Sequence, residues 1–205
     1  MEPLFHLFDS IHPLSPELRS YLLSFLVNME FKKKSTILKT GQIADRIYFI
    51  EKGLVRSVRH ETGREKTAWF MHEGDIIISV ESFFTQQPSL ETIEALEPCI
   101  TYSINRDQLY KAYSLFPEFN LHRAVLLEKY YAQSEARARI KQMKAKDKFQ
   151  HLMTTQPNLI SRTPDKLLAS YLGITPGTYS LEKNRFAKNE KVKNAQKNKP
   201  QNQLG

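Results

Sequence analysis

Four glycines, at 41, 53, 63 and 74, cut the first half of the chain into pieces at intervals of 12, 10 and 11 residues. Between and after them lie short runs rich in β-branched and aromatic residues, at 35–38, 46–50, 54–59, 67–71, 76–80, 92–96 and 100–104. Turn signals at this regular spacing predict an all-β sandwich or barrel, not alternating βαβ units. Glu61, Thr62, Gly63 and Arg64 read as the tip of a hairpin.

The flanks of this stretch have helical texture. Residues 1–30 are expected to be helical. Ser15 is an N-cap followed by Pro16 at the first helical position. Leu18, Tyr21, Leu22, Phe25 and Leu26 then make one apolar face. A short helix is predicted over 107–115, stopped by Pro117. From 118 to about 153 there is no Gly or Pro, and good helix formers dominate. Leu127, Tyr130, Tyr131, Ser134, Ala138 and Ile140 form a mixed stripe on this long helix. It fits pairing with a second helix, or packing on the chain's own β domain. A break is expected near 144–148 and a loop over 154–162 around Pro157. Residues 164–172 form a short amphipathic helix through Leu167, Leu168, Tyr171 and Leu172. Gly173, Ile174 and Thr175 end it, and Thr175 caps another helix with Pro176 at its first position. Residues 187–205 hold five Lys and one Glu among few apolar residues and are expected to be disordered.

Charge separates the two halves. The 205 residues carry 30 Lys and Arg against 22 Asp and Glu, a net of +8. Residues 1–117 hold 13 against 15, a net of −2, and residues 118–205 hold 17 against 7, a net of +10. Such asymmetry fits a polyanionic partner, and it also fits a solvated basic face with a Lys-rich tail. The longest run without a charge is the 15 residues 167–181, interrupted by Gly173, Pro176 and Gly177. No membrane-spanning helix is therefore expected. The N-terminus lacks the basic stretch of a signal peptide. The single cysteine, Cys99, excludes an intrachain disulfide and a Cys-based zinc or iron–sulfur site within one chain. A reduced, cytoplasmic protein is expected. The six histidines, at 6, 12, 60, 72, 122 and 151, are never within five residues of each other, so no metal site is expected. Phosphate-binding glycine loops, nucleophile elbows and His-Glu-x-x-His pairs are missing, and no enzymatic activity is expected.

A helix, a three-residue turn with Gly, and a capped polar helix form a helix-turn-helix pattern. In it the second helix presents Thr178, Tyr179, Ser180, Lys183 and Arg185 to a groove, with Thr175 at its cap. An ordinary helical hairpin has the same pattern, and the +10 of this half favours nucleic acid.

In this order and size, the elements resemble the CRP/FNR family of transcription regulators over about residues 5–186. The local matches are Ile37-Leu38-Lys39-Thr40-Gly41, Ile47-Tyr48-Phe49-Ile50-Glu51-Lys52-Gly53, Gly74-Asp75, and Ala169-Ser170-Tyr171-Leu172-Gly173-Ile174-Thr175-Pro176. The resemblance implies an α+β architecture. A double-stranded β-roll (jelly-roll) of the cyclic-nucleotide-binding type would span 1–117, with flanking helices. A long connecting and dimerisation helix would span 118–145, a helix-turn-helix DNA-binding domain 146–186, and a disordered basic tail 187–205. It implies a homodimer on double-stranded DNA, with RNA polymerase as a further partner. It also implies effector-pocket positions at Gly74, Ser79, Val80, Glu81, Ser82, Ser89 and Leu90, with Gln133 and Ser134 reaching in from the long helix.

Two departures stand out. Members that bind cyclic nucleotides hold the ribose with a Gly-Glu pair and the phosphate with an Arg-Ser pair. Here those positions read Ile78-Ser79 and Ser89-Leu90, with Glu91 next. Leu90 has no donor for a phosphate and Glu91 would repel it. Cyclic AMP binding in the usual way is therefore not expected, and the effector would be an unknown small molecule or none. The family's base-reading acidic residue and arginine fall at Gly177 and Leu181, and leucine cannot make the bidentate contact to guanine. The other reading of the residues is a ligand-sensing or protein-interaction module with degenerate, non-specific DNA binding.

Overall fold

The computed structural model describes residues 1–61 and 63–197, and for Glu190 and residues 192–197 the backbone alone. The chain divides into two compact units, Met1–Glu135 and Ala136–Gly205.

The first unit opens with helices α1 (Glu2–Ile11) and α2 (Pro16–Phe25). Ser15 caps α2 as its sequence announced, its hydroxyl accepting from the Leu18 N–H at 3.3 Å. Eight strands follow: β1 (Val27–Phe31), β2 (Thr36–Leu38), β3 (Arg46–Lys52), β4 (Val55–Glu61), β5 (Arg64–Met71), β6 (Ile76–Ile77), β7 (Glu91–Ala95) and β8 (Cys99–Asn105). They form two antiparallel four-stranded sheets, ordered β1-β8-β3-β6 and β2-β7-β4-β5. Gly41, Gly53, Gly63 and Gly74 all have positive φ, between 74° and 118°. The pairing of Glu61 with Arg64 closes the expected hairpin, whose Thr62 lies outside the described residues.

Alternation along β3 shows how the unit is layered. Phe49, with Ile47 beside it, joins Leu4, Phe5, Leu18, Leu22 and Leu109 in a core shared with the helices. Ile50 turns the other way, into the interior of the roll with Val55, Ile77, Ile93, Ala95 and Cys99. Cys99 is buried at 2% exposure, the small apolar role expected of it.

Four expectations need correction. The helical reading of 1–30 fails after Phe25. Val27–Phe31 is a strand because it finds a five-residue ladder with β8, from Val27 against Ser103 to Phe31 against Cys99. Local propensity yields to that long-range pairing. The run at 76–80 is a strand only at Ile76–Ile77, and helix α3 (Val80–Thr85) begins inside it.

Helices α4 (Arg106–Leu115) and α5 (Phe119–Gln142) follow, with the division between the units falling inside α5. The second unit then holds α6 (Ala145–Thr155), α7 (Pro157–Arg162), α8 (Asp165–Leu172) and α9 (Pro176–Lys197). The predicted loop at 154–162 is largely α7, because Pro157 sits at a helix start, where its missing N–H costs nothing. The disorder expected from 187 is also corrected, since α9 runs on to Lys197. Ala, Lys, Asn and Gln sustain a helix already nucleated, and the first proline comes only at 200. Residues 198–205 lie outside the described residues. Among the described residues, no helix is long and apolar enough to cross a membrane.

Candidate nucleic-acid interface and the polar sites of the roll

The second unit is built around Phe149, Leu152, Leu159, Leu168, Ala169, Leu172 and Tyr179, all at most 4% exposed. The stretch from α8 to α9 is set by Gly173, whose φ of 64° ends α8 in the left-handed conformation. The Ile174 N–H then reaches the Ala169 carbonyl at 3.0 Å, and the Gly173 N–H the Ser170 carbonyl at 3.1 Å. This is the Schellman closure that lets the chain reverse without orphaned carbonyls. Thr175 caps α9: its Oγ1 accepts from the Thr178 N–H at 3.1 Å and meets the Thr178 hydroxyl at 2.8 Å.

The candidate DNA residues divide. Thr175, Ser180, Lys183 and Arg185 are exposed, and Thr178 is half-buried. Tyr179 is not on the surface at all. It is fully buried, with its ring 5.1 Å from that of Phe149. Burial pushes its phenol up to about 12. The correction follows from the helical period: Tyr179 shares the inner face of α9 with Glu182 and Phe186, and Phe186 also contacts Phe149 at 5.9 Å. Lys183 pairs with Asp165 at 2.8 Å and Arg185 with Glu182 at 2.8 Å. The Lys183 pair is solvent-facing and of small net worth, so its exchange for a phosphate costs little, whereas the Glu182 carboxylate that holds Arg185 is buried. Gly177 stands in the first turn of α9, and Leu181 is 49% exposed, neither offering a base edge a polar group.

Arg137, on the last turns of α5, was invisible in the sequence. It is 5% exposed and stacks on Tyr171 of α8. An arginine within a polar helical run carries no signal that it will be the one buried.

In the first unit, the expected effector positions do not gather around one cavity. Ser79 and Ser89 are buried and bonded to each other, hydroxyl to hydroxyl, at 3.0 Å. Ser89 also meets the Glu91 carbonyl at 2.8 Å. Ser82 is buried but serves the fold, accepting from the Ala44 N–H at 2.9 Å and donating to the Gln87 carbonyl at 2.6 Å. Gly74, Val80, Glu81 and Leu90 are exposed, Leu90 at 62%. Gln133 and Ser134 are exposed on α5 and do not reach into the roll. Glu91 is buried, accepts a hydrogen bond from Ser57 and pairs with Arg59 at 3.5 Å.

These residues do not fit a cyclic phosphate. The serines are engaged with each other, Leu90 supplies no donor, and Glu91, next in sequence, is a buried carboxylate. A buried anion next to an anionic ligand opposes its binding. A cavity of about 300 Å³ in the unit is lined by residues of β2, β3, β6 and β7, by the 42–45 loop, and by Ile78 and Ser79. Of the expected positions only Ser79 touches it. Among the described residues, no three His, Cys, Asp or Glu gather to hold a metal.

Residues 28–114 match the cyclic nucleotide-binding domain family. The matched stretch lies within the first unit. Over most of its length the chain is similar in fold to several solved structures. FixK2 from Bradyrhizobium japonicum superposes with a TM-score of 0.70 at 17% identity, over 80% of this chain and 86% of that one. The c-di-GMP responsive global regulator CLP from Xanthomonas campestris gives 0.67 at 15% identity, over 86% and 93%. The catabolite activator protein of Thermus thermophilus gives 0.54 at 18% identity, over 92% and 88%. At these identities the likeness is one of fold. No curated protein matches the chain.

Proposed function

We propose that the chain is a DNA-binding transcription regulator of the CRP/FNR type, acting as a homodimer, with its cyclic nucleotide-binding domain adapted to an effector other than cyclic AMP. The observation that carries this reading is the tight Gly173 turn leading into α9, whose outer face is polar and cationic on a closed apolar core. Lys183, Arg185, Lys188 and Lys191 are all exposed there. Thr175, Thr178 and Ser180 add hydroxyls at the helix start, where phosphate oxygens are favoured. The fold shared with FixK2, CLP and the catabolite activator protein supports the same reading.

The dimer rests on α5. Ala124, Leu127, Tyr131 and Ser134 are exposed and spaced 3, 4 and 3 apart, the interval of a helix-pairing seam. Tyr131 is 70% exposed. A dimer would carry two α9 helices to half-sites about one DNA turn apart, ~34 Å. Sedimentation should then report twice the 23.9 kDa chain mass, and a strict monomer would remove the half-site argument.

Fluorescence anisotropy with a random duplex at two salt concentrations tests the DNA reading. Binding should weaken steeply with salt, and Lys183→Glu with Arg185→Glu should flatten that slope by about 2. Absence of salt-sensitive binding at micromolar protein overturns it. It would leave the second reading, an interaction module, which Gly177, Leu181 and the internal pairing of Lys183 and Arg185 favour. Calorimetry with cyclic AMP should show no heat of binding, and clear micromolar binding would mean that the Ser79–Ser89 contact opens to admit it.

A further inference from the structure

We propose that the 300 Å³ cavity beside β3 binds a small apolar monocarboxylate, held by Arg46 and Tyr48. The proposal rests on the reading of the first unit as an effector domain and gives that effector a chemical class.

The volume is the first constraint. About 300 Å³ is at the small end of ligand sites, which run from roughly 300 to 1,000 Å³. The walls are the second. Ile37, Leu38, Ile77, Ile78 and Ile93 face the cavity, and Ile77 and Ile93 are 1% exposed. With Ile43, 48% exposed at the rim, six aliphatic side chains are there to meet an apolar ligand body.

The polar edge decides the rest, once each group's existing partners are counted. Gln42 is engaged, its Oε1 accepting from the Lys39 N–H at 2.9 Å. Ser79 is engaged with Ser89 at 3.0 Å. Arg46 and Tyr48 keep donors to spare. Among the described residues, Arg46 makes one long hydrogen bond, 3.3 Å to the Ser103 hydroxyl, and no carboxylate pairs with it. A guanidinium has five N–H donors, so most of them are unspent. The Tyr48 hydroxyl has no hydrogen-bond partner among the described residues, while its ring packs against Phe31 at 5.9 Å. Burial, with Asp45 adding and Arg46 opposing, holds this phenol above its ordinary value. It therefore stays a donor at neutral pH. A cation and a neutral donor above an aliphatic floor are the complement of a carboxylate on an apolar body.

Asp45 sets the charge limit. It also lines the cavity and is exposed at its edge. Its carboxylate opposes any negative charge on the ligand beyond the one that Arg46 and the Tyr48 hydroxyl meet directly. Ser89 and Leu90, at the positions where relatives hold a cyclic phosphate, do not line this cavity. Ile78 and Ser79, at the positions where relatives hold the ribose, do line it, so the cavity shares that edge but not the phosphate end.

Calorimetry on the full chain without DNA, using hexanoate and benzoate against hexanamide and benzamide, tests the proposal. The acids should bind and the matching amides should bind at least about tenfold more weakly, the worth of one charged hydrogen bond. Arg46→Gln and Tyr48→Phe should each weaken the acids by a similar factor while keeping the wild-type melting temperature. If a variant does not fold, methyl NMR of the wild type serves instead, with shifts expected at Ile77 and Ile93 on adding hexanoate. Equal binding of acid and amide, unchanged binding by Arg46→Gln, or no binding and no shifts with either acid overturns it. Because DNA is absent from every arm, such a failure leaves the DNA reading standing, and failure of the duplex titration leaves this one standing.

Discussion

The guanidinium carbon of Arg137 lies 3.4 Å from the centroid of the Tyr171 ring, and its Nη2 donates to the Tyr171 carbonyl. That carbonyl belongs to the last turn of α8, where helix carbonyls lack intrahelical partners and a cation is favoured. Burial lowers the Arg137 pKa, with Tyr171 opposing, and the guanidinium keeps its charge because its ordinary value is so high. One side chain thus ties the end of α5 to the helix before the Gly173 turn.

Removing this contact should be costly. Arg137→Ala loses a buried cation–π contact and a charged hydrogen bond, together about 2–3 kcal/mol. Arg137→Lys keeps the charge but not the planar stack and should recover less than half of that. Urea unfolding of the two variants measures both numbers.

Gly173 and Gly177, four residues apart, should respond oppositely to alanine. Gly173 needs its left-handed backbone, so Gly173→Ala should cost about 1–2 kcal/mol even though no protein atom would crowd the new Cβ closer than 4.0 Å. Gly177 is helical, and a Cβ there meets only the Thr175 hydroxyl at 3.9 Å. Gly177→Ala should stabilise by about 0.5–1 kcal/mol. Thermal melts in parallel give the two signs, and a loss of stability in Gly177→Ala would show that the start of α9 is not a regular helix.

Gly53 is constrained twice over. Its φ is 118°, and a Cβ would sit 2.8 Å from the Cα of Cys99 on the neighbouring strand. Backbone cannot yield there as a flexible side chain would. Gly53→Ala should destabilise the first unit by about 3 kcal/mol or more, whereas Gly63→Ala, with nothing within 4 Å, should cost only the strain of its φ of 74°. Chemical denaturation distinguishes them.

Alkaline pH should unfold the protein through its tyrosines. Burial pushes Tyr113, Tyr130 and Tyr179 up to about 12. Tyr130 also accepts the Ile76 N–H at 2.9 Å. A folded pKa above the unfolded value of 10 means that the unfolded chain releases its protons first. Stability is then full below pH 10 and falls between 10 and 12. Phenolate absorbance should rise in two phases, exposed tyrosines first, and Tyr113→Phe should reduce the loss of stability across that window.

Legibility in the sequence differed between the two units. The roll was readable because its turns demand glycine. A position with φ near 80–120° selects that residue almost alone, so its spacing reports the strand lengths directly. Caps were readable for the same local reason: Ser15 and Thr175 each make the hydrogen bond to the N–H three residues on. What failed was set by partners far along the chain. Val27–Phe31 resembles the end of a helix until β8 is placed beside it. Tyr179 looks like a groove-facing aromatic until Phe149 is found on the other side.

The candidate sites divide in the same way. Mismatch with a phosphate-binding cassette could be seen from Ser89, Leu90 and Glu91 alone, because donor chemistry belongs to residue type. The engagement of Ser79 with Ser89, the burial of Glu91 beside Arg59, and the unspent donors of Arg46 and Tyr48 could not. Those depend on which side chains finish opposite one another across two sheets. Residue identity and spacing are enough to determine backbone conformation, charge and the order of elements, since these act over a few neighbours. Which polar groups are satisfied and which remain open for a ligand is decided only when distant strands meet, because a hydrogen bond exists between positions and not within a sequence.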